Sequence, residues 1–105
     1  MCEDKIFDKS IEEFIGTLEK PTFAKTLRTL DLLEKYGNTL RMPHSKKISR
    51  NLFELRVRGQ HEVRIFYTFR KNTAILLLGF IKKTQQTPHQ LIFLSEKKLK
   101  SLENL

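Results

Sequence analysis

Five cationic side chains stand at places in this chain where they can act together on a phosphate group. Arg56, Arg58 and Arg64 lie in two segments whose charged and apolar residues alternate, and Lys82 and Lys83 follow a long apolar run. An arginine keeps its proton up to a pH of about 12, and its forked donors fit phosphate oxygens. The three arginines are therefore predicted to stabilise negative charge. Lys82 and Lys83 are predicted to lie at the end of a core strand and to belong to the same phosphate-handling site.

A site that transfers a phosphoryl group also needs a group that accepts a proton. Crowding by neighbouring cations favours the neutral form of a lysine, so Lys82 or Lys83 is a candidate base. Histidine titrates near neutrality, which makes His61 and His89 further candidates. The alternative is that these histidines and cations are solvated surface residues without a role in catalysis or binding.

The positive charge of the chain is concentrated in its middle. Residues 41–83 hold eleven Lys and Arg against two Asp and Glu, whereas the whole chain has a net charge of +8. Because this basic segment overlaps apolar segments, it predicts a folded cationic surface that can neutralise phosphates. A solvated lysine-rich face is the alternative.

Length and composition bound the fold and the setting. A chain of 105 residues predicts a single domain, 1–105, with one hydrophobic core. One cysteine, Cys2, and three scattered histidines match no metal-ligand spacing, so no metal or other cofactor is predicted. No apolar run of about 18 residues and no signal-peptide pattern is seen, which predicts a cytoplasmic protein.

Two amphipathic helices are predicted before residue 40. Ser10 and Glu13 have the spacing of a capping box, and the apolar residues that follow predict a helix over about 11–19. A second helix begins after Pro21 and ends at Gly37-Asn38. Its apolar stripe is formed by Phe23, Leu27, Leu30 and Leu33.

Three strands are predicted after residue 50. Alternating segments at 52–58 and 63–69 are joined by a turn at Gly59-Gln60, and an apolar run at 74–80 follows a turn at Lys71-Asn72. If the first two strands pair, Arg56 and Arg64 share one face. Gly79 is interpreted as a turn, and residues 39–50 as a loop.

A C-terminal helix over about 88–103 completes the predicted fold. Thr87 is expected to cap this helix, with Pro88 at its first position. The sequence therefore predicts an α+β fold: two N-terminal helices packed on an antiparallel three- to four-stranded sheet, with a C-terminal helix.

Three motifs resemble the RelE/ParE toxin superfamily, in its phage-derived HigB-like branch. They are LFELR at 52–56, VRIFY at 63–67 and LLGFIKKTQQTP at 77–88. The resemblance covers roughly residues 10–100 and implies a RelE-like fold. It also implies the toxin of a type II toxin-antitoxin system, an endoribonuclease that cleaves mRNA, commonly on the ribosome, without a metal.

Carried over to this chain, the resemblance implies that the catalytic residues are Arg56, Arg64, Lys82 and Lys83. Some members have a tyrosine where this chain has His89, and the Asp-Tyr-His cluster of other HigB proteins has no match. The family usually has a strand before the first helix, for which only residues 3–7 are available. That strand is expected to be shortened or missing.

The remaining basic side chains are predicted to bind RNA. They are Arg58, Lys46, Lys47, His61 and His89. Glu54 is expected to pair with Arg56 or Lys47, and Tyr67 to lie in the core. The predicted partners are mRNA, the ribosome and a cognate antitoxin with a helix-turn-helix domain. Two alternatives stay open: a ParE-like toxin that binds DNA gyrase without nuclease chemistry, and an RNA-binding protein of attenuated activity.

Overall fold

The computed structural model describes residues 3–103, which form one mixed sheet with helices on both of its faces. The strands are β1 (Glu3–Ile6), β2 (Ser45–Ser49), β3 (Leu52–Val57), β4 (Val63–Arg70) and β5 (Thr73–Ile81). The helices are α1 (Lys9–Gly16), α2 (Lys20–Tyr36) and α3 (His89–Glu103), with a short 3-10 turn at Gly37–Thr39.

The sheet has the strand order β1-β5-β4-β3-β2. Strands β2 to β5 form an antiparallel meander, and β1 pairs with β5 in parallel. A two-residue turn joins β4 to β5, where Lys71 has a φ of 57°. The α+β class, the meander of β3, β4 and β5 and the C-terminal helix are thus confirmed.

The sheet separates two hydrophobic clusters because successive side chains of a strand point to opposite faces. The cluster under α1 and α2 includes Leu33, Leu55, Ile65 and Tyr67. The cluster under α3 includes Leu52, Phe66, Leu77 and Leu102. Tyr67 is buried, as predicted, and its hydroxyl is hydrogen-bonded to Ser45.

The sheet has five strands, one more than the upper end of the predicted three to four. The N-terminal strand was expected to be shortened or missing. It is present as β1 and is short, with four residues. Residues 39–50 were predicted to be a loop, and this was wrong because they contain β2. This strand lies at the sheet edge and carries two exposed lysines and a bulge, so it lacks a clean apolar alternation.

The helix boundaries show which local signals were misread. Asp8, rather than Ser10, caps α1, since its carboxylate accepts the Ser10 N–H at 3.1 Å. Helix α2 ends before Gly37 as predicted, and Gly37 has a φ of 55°. Of the predicted apolar stripe of α2, Leu33 is buried and Phe23 and Leu30 pack against the core, whereas Leu27 is exposed. Three threonines of α2 are buried in addition: Thr22, Thr26 and Thr29.

Gly79 lies inside β5 and is not a turn, which corrects the prediction. A side chain at this position would meet the ring of Phe14 on α1 at 2.5 Å from its Cβ. The glycine therefore lets α1 approach the sheet closely, and β5 continues to Ile81, directly before the lysine pair.

Candidate active site

Arg56 and Arg64 lie directly opposite each other on neighbouring strands. They form a register pair between β3 and β4, so their side chains leave the same face of the sheet. The shared face predicted for the two arginines is confirmed. It is the face that carries Phe66 and, further along, α3.

The Glu54 carboxylate lies between the two arginines. Its Oε1 atom is 3.9 Å from Nε of Arg56 and 3.9 Å from Nε of Arg64. Only 3 % of the Glu54 side chain is exposed, so water screens these charges weakly. The expected pairing of Glu54 with Arg56 is confirmed, whereas residue 46, and not Lys47, stands opposite Glu54 in the strand register.

Arg64 is the most deeply buried cation of the group, with a side chain that is 2 % exposed. Its Nη2 donates to Glu62 at 3.0 Å and its Nη1 donates to the Val63 carbonyl at 3.1 Å. Arg56 is 13 % exposed and donates from Nη1 to the sulfur of Met42 at 3.4 Å. Arg56 is therefore the more accessible of the two arginines.

Each of the two arginines has a buried donor that makes no hydrogen bond with the described residues. Within residues 3–103, the Nε atoms of Arg56 and Arg64 are buried without a hydrogen-bond partner. A buried N–H group that makes no hydrogen bond costs free energy. Both Nε atoms lie 3.9 Å from the Glu54 carboxylate, whose charge compensates for part of this cost.

Thr87 closes one side of the site. Its hydroxyl donates to Oε2 of Glu54 at 3.1 Å, so it holds the segment before α3 against the sheet. The sequence predicted that Thr87 caps α3; its hydroxyl instead makes this long-range contact. Helix α3 begins at His89, one residue after the predicted start.

The lysine pair follows β5 at the same end of the sheet. Ile81 stands opposite Val63, and the Lys82 N–H donates to the Glu62 carbonyl at 2.7 Å, so the β4–β5 pairing extends one residue further. Lys82 is half-buried and Lys83 is exposed. The backbone thus brings Lys82 to the end of β4 at which Arg64 lies.

The predicted RNA-binding residues are spread around this end of the sheet. Lys46 and Lys47 are exposed on β2, and Arg58 is exposed just after β3. His61 Nε2 lies 3.7 Å from Glu19. His89 is exposed at the start of α3. Their roles in binding RNA remain predictions.

One acidic group at the site has a shifted pKa. The hydrogen bond from Arg64 lowers the pKa of Glu62, and the charges of Arg64 and Arg58 act in the same direction, against a smaller desolvation effect. Glu62 therefore stays ionised and holds Arg64 through the hydrogen bond from Nη2.

The sequence predicted the cations of the site but not the contact between Glu54 and Thr87. The contact between Thr87 and Glu54 joins residues 33 positions apart, which no local pattern reveals. An acid on the charged face of β3, two positions before Arg56, was the one signal that pointed to a bridging carboxylate.

Two further features bear on function. Residues 3–103 contain no cluster of three or more His, Cys, Asp or Glu side chains that could hold a metal ion. No helix in this part of the chain is long and apolar enough to cross a membrane.

Comparisons with known proteins place the chain in a family. A search among curated proteins finds no match. The family model for the phage-derived protein Gp49-like group (DUF891) matches residues 13–100, which include strands β2 to β5, all of α2 and most of α3. Because this match covers most of the sequence, the chain belongs to the phage-derived Gp49-like family.

Proposed function

We propose that the protein is the toxin of a type II toxin-antitoxin system and cleaves mRNA, on the ribosome, without a metal ion. The observation that carries this proposal is the register pair Arg56–Arg64, bridged by the buried Glu54 at the end of the sheet where Lys82 follows β5. Family membership supports it, because the Gp49-like family is linked to toxins of the RelE/HigB type.

The proposed reaction needs three tasks to be done. The 2′-hydroxyl of the RNA loses its proton and attacks the adjacent phosphorus, the pentacoordinate phosphate is stabilised, and the 5′-oxygen leaves with a proton. Arg56 is assigned the second task, since its side chain is partly accessible and its guanidinium group keeps its positive charge. Lys82 and Lys83 are assigned the proton transfers, with no division of roles between them.

Arg64 is assigned a positioning role in this arrangement. Its burial keeps it from direct contact with a phosphate at the surface. Instead it holds Glu54, and Glu54 in turn orients Arg56. This assignment differs from the direct catalytic role that the resemblance implies for Arg64.

The test is primer-extension mapping of mRNA cut sites in a translating extract. We expect cuts with the wild-type protein and a loss of about 10² to 10³ in rate for Arg56→Ala, because one preorganised donor to the developing charge is removed. The Lys82→Ala/Lys83→Ala variant should lose a factor of about 10² to 10⁴. Lys97→Ala/Lys100→Ala on α3 removes the same charge and is the matched control.

Several outcomes would overturn the nuclease assignment. Wild-type rates in the Arg56→Ala and lysine variants would remove the proposed residues from the reaction. Absence of cuts together with inhibition of gyrase supercoiling would favour the ParE-like alternative. Loss of cleavage in EDTA, in an assay without ribosomes, would contradict a metal-independent reaction.

An antitoxin is the proposed protein partner. A toxin of this type is held inactive by a small protein encoded beside it, and a helix-turn-helix domain in that protein is the expectation. Co-expression with the neighbouring gene, followed by purification through a tag on this chain, should recover a stable complex that no longer cleaves mRNA. Recovery of this chain alone would count against the proposal.

A further inference from the structure

A basic cavity of about 300 Å³ lies between α2 and the end of β3. Arg56 and Val57 line it at the end of β3, and Pro43 and His44 line it just before β2. Its size is at the lower end of the range of small-ligand pockets, about 300 to 1,000 Å³. Nine residues line it: Lys25, Arg28, Thr29, Leu32, Pro43, His44, Arg56, Val57 and Arg58.

The charge of this cavity is of one sign. Two of its cations, Lys25 and Arg28, come from α2, and two, Arg56 and Arg58, from the end of β3. None of its nine lining residues is acidic. Among the ion pairs of residues 3–103, those within 4.0 Å include neither Lys25, Arg28 nor Arg58.

The positions of the cations follow from the fold. Lys25, Arg28, Thr29 and Leu32 repeat at helical spacing, so they share one face of α2. Gly59 gives Lys25 room, because a Cβ at residue 59 would lie 3.1 Å from both Cδ and Nζ of Lys25. Glu62, whose pKa the charge of Arg58 lowers, is hydrogen-bonded to Arg64. The Glu54 carboxylate lies 3.9 Å from Nε of Arg56.

The cavity also has an apolar part. Leu32, Pro43 and Val57 contribute carbon surface, and His44 contributes an aromatic ring. Phosphate oxygens suit the arginine forks, while a sugar or a base suits apolar walls and a flat ring. This combination matches one nucleotide better than it matches a free inorganic anion.

We infer that this cavity binds one nucleotide of single-stranded RNA, with its phosphate held by Lys25, Arg28 and Arg58. Arg56 lines the cavity and also belongs to the candidate active site. A strand that places one phosphate at Arg56 therefore places a neighbouring nucleotide in the cavity. This inference rests on the proposed function for the identity of the strand.

RNA is favoured over an acidic protein segment by two features. The cavity adjoins the candidate cleavage site through Arg56, and it has apolar walls and the His44 ring beside the cations, where a sugar or a base can lie. A glutamate or aspartate would use the cations but leave the apolar part unfilled.

The test measures RNA binding separately from cleavage. The probe is a labelled 2′-O-methyl oligouridylate of about 12 nucleotides, which lacks the hydroxyl that attacks in the proposed reaction. Its affinity is measured by fluorescence anisotropy between about 50 and 200 mM salt. The variant is Lys25→Gln/Arg28→Gln, and Lys97→Gln/Lys100→Gln on α3 is the control with the same loss of charge.

We expect the cavity variant to bind about tenfold more weakly and to lower the slope of log K against log salt by about 0.7, the value for one phosphate of a single strand. The control should bind as the wild type does. Equal binding by the cavity variant and the control would overturn the inference even if mRNA cleavage is intact. The inference would also be overturned if the cavity variant lost affinity for polyglutamate but not for the oligouridylate.

A second measurement does not depend on the variant. With uridine monophosphate added to the wild-type protein, NMR signals of the Arg28 and Arg58 Nε–H groups and of the His44 ring should shift. Arg70, whose Nη1 donates to the Leu102 carbonyl at 2.6 Å, should not. Shifts absent at the first three residues would overturn the inference. A protein that binds the probe in this way but never cuts mRNA would overturn only the proposed nuclease function.

Discussion

The Glu54 carboxylate governs the electrostatics of the candidate active site. It is buried, its Oε1 lies 3.9 Å from the Nε atoms of two arginines, and its Oε2 accepts a hydrogen bond from the Thr87 hydroxyl. A buried charge is tolerated only when its partners compensate for lost hydration. Glu54 thus joins β3, β4 and the segment before α3.

Replacing Glu54 by Gln should lower the free energy of unfolding by about 3 kcal/mol, because it leaves buried arginine charge without its partner. The matched control is Glu62→Gln, which also contacts Arg64 but has a 40 % exposed side chain. That change should cost less than about 1 kcal/mol. Urea unfolding of both variants measures the difference, and equal costs would show that Glu54 is not the dominant partner.

At the scale of the elements, the close approach of α1 to β5 depends on Gly79. A Cβ at this position would lie 2.5 Å from Cδ2 of Phe14, closer than side-chain contacts allow. The helix or the ring must move if the glycine is replaced. This contact sets the depth at which α1 packs on the sheet.

Gly79→Ala should therefore destabilise the protein by about 1 to 3 kcal/mol. Gly16→Ala is the control, because no atom beyond its chain neighbours and the backbone of its own helix lies within 4 Å of the added Cβ. This change should be neutral or stabilising by about 0.5 kcal/mol. In the double variant with Phe14→Leu, part of the Gly79 effect should disappear. Strict additivity of the two changes would contradict a direct clash.

Strand β1 carries an acidic group with an unusual environment. Burial and, to a smaller extent, the charges of Glu34 and Asp31 on α2 together raise the pKa of Asp4 to about 7. Its Oδ1 atom is buried without a hydrogen-bond partner within residues 3–103. Asp4 is therefore most compatible with the fold when it is protonated.

The folded protein binds the Asp4 proton more tightly than the unfolded chain does, so this group lowers stability as the pH rises from about 4 to above 7. We expect a decline of about 1 to 2 kcal/mol, reduced from the full linkage value because Asp4 is only half-buried. Asp4→Asn should abolish this decline, whereas Glu3→Gln, exposed on the same strand, should retain it. Urea unfolding at several pH values measures it, and an unchanged decline in Asp4→Asn would refute this assignment.

The whole molecule is held together by two clusters on opposite faces of one sheet. Helix α3 covers the cluster on its face of the sheet through Leu102. Polar contacts also hold the helix in place. Lys98 donates to the Leu77 carbonyl at 3.0 Å and lies 2.9 Å from Asp8, and Arg70 donates to the Leu102 carbonyl. The candidate active site lies beside the start of this helix, so the docking of α3 and the shape of the site are linked.

Leu102→Ala should lower the free energy of unfolding by about 2 to 4 kcal/mol, because it leaves a cavity under α3. Leu94→Ala on the same helix is the control: Leu94 is 41 % exposed, so its effect should stay within about 0.5 kcal/mol. Amide exchange should rise in α3 more than in α2. Equal rises in the two helices would indicate that the clusters on the two faces unfold together.

The sequence by itself determined the features that depend on near neighbours. Helix α2 and its end at Gly37, the turn at Lys71-Asn72 and the shared face of Arg56 and Arg64 all follow from spacings within a few residues. Periods of 3.6 and 2 are properties of the backbone, so they are visible before the chain folds. The α+β class follows from the order of these segments.

Only the tertiary structure decided which groups meet across long stretches of chain. The parallel pairing of β1 with β5, the burial of threonines rather than Leu27 on α2, and the contact of Thr87 with Glu54 each depend on distant segments. The basic cavity likewise joins α2 to the end of β3. Such contacts form where packing of the whole chain puts two surfaces together, and no periodicity within one segment encodes them.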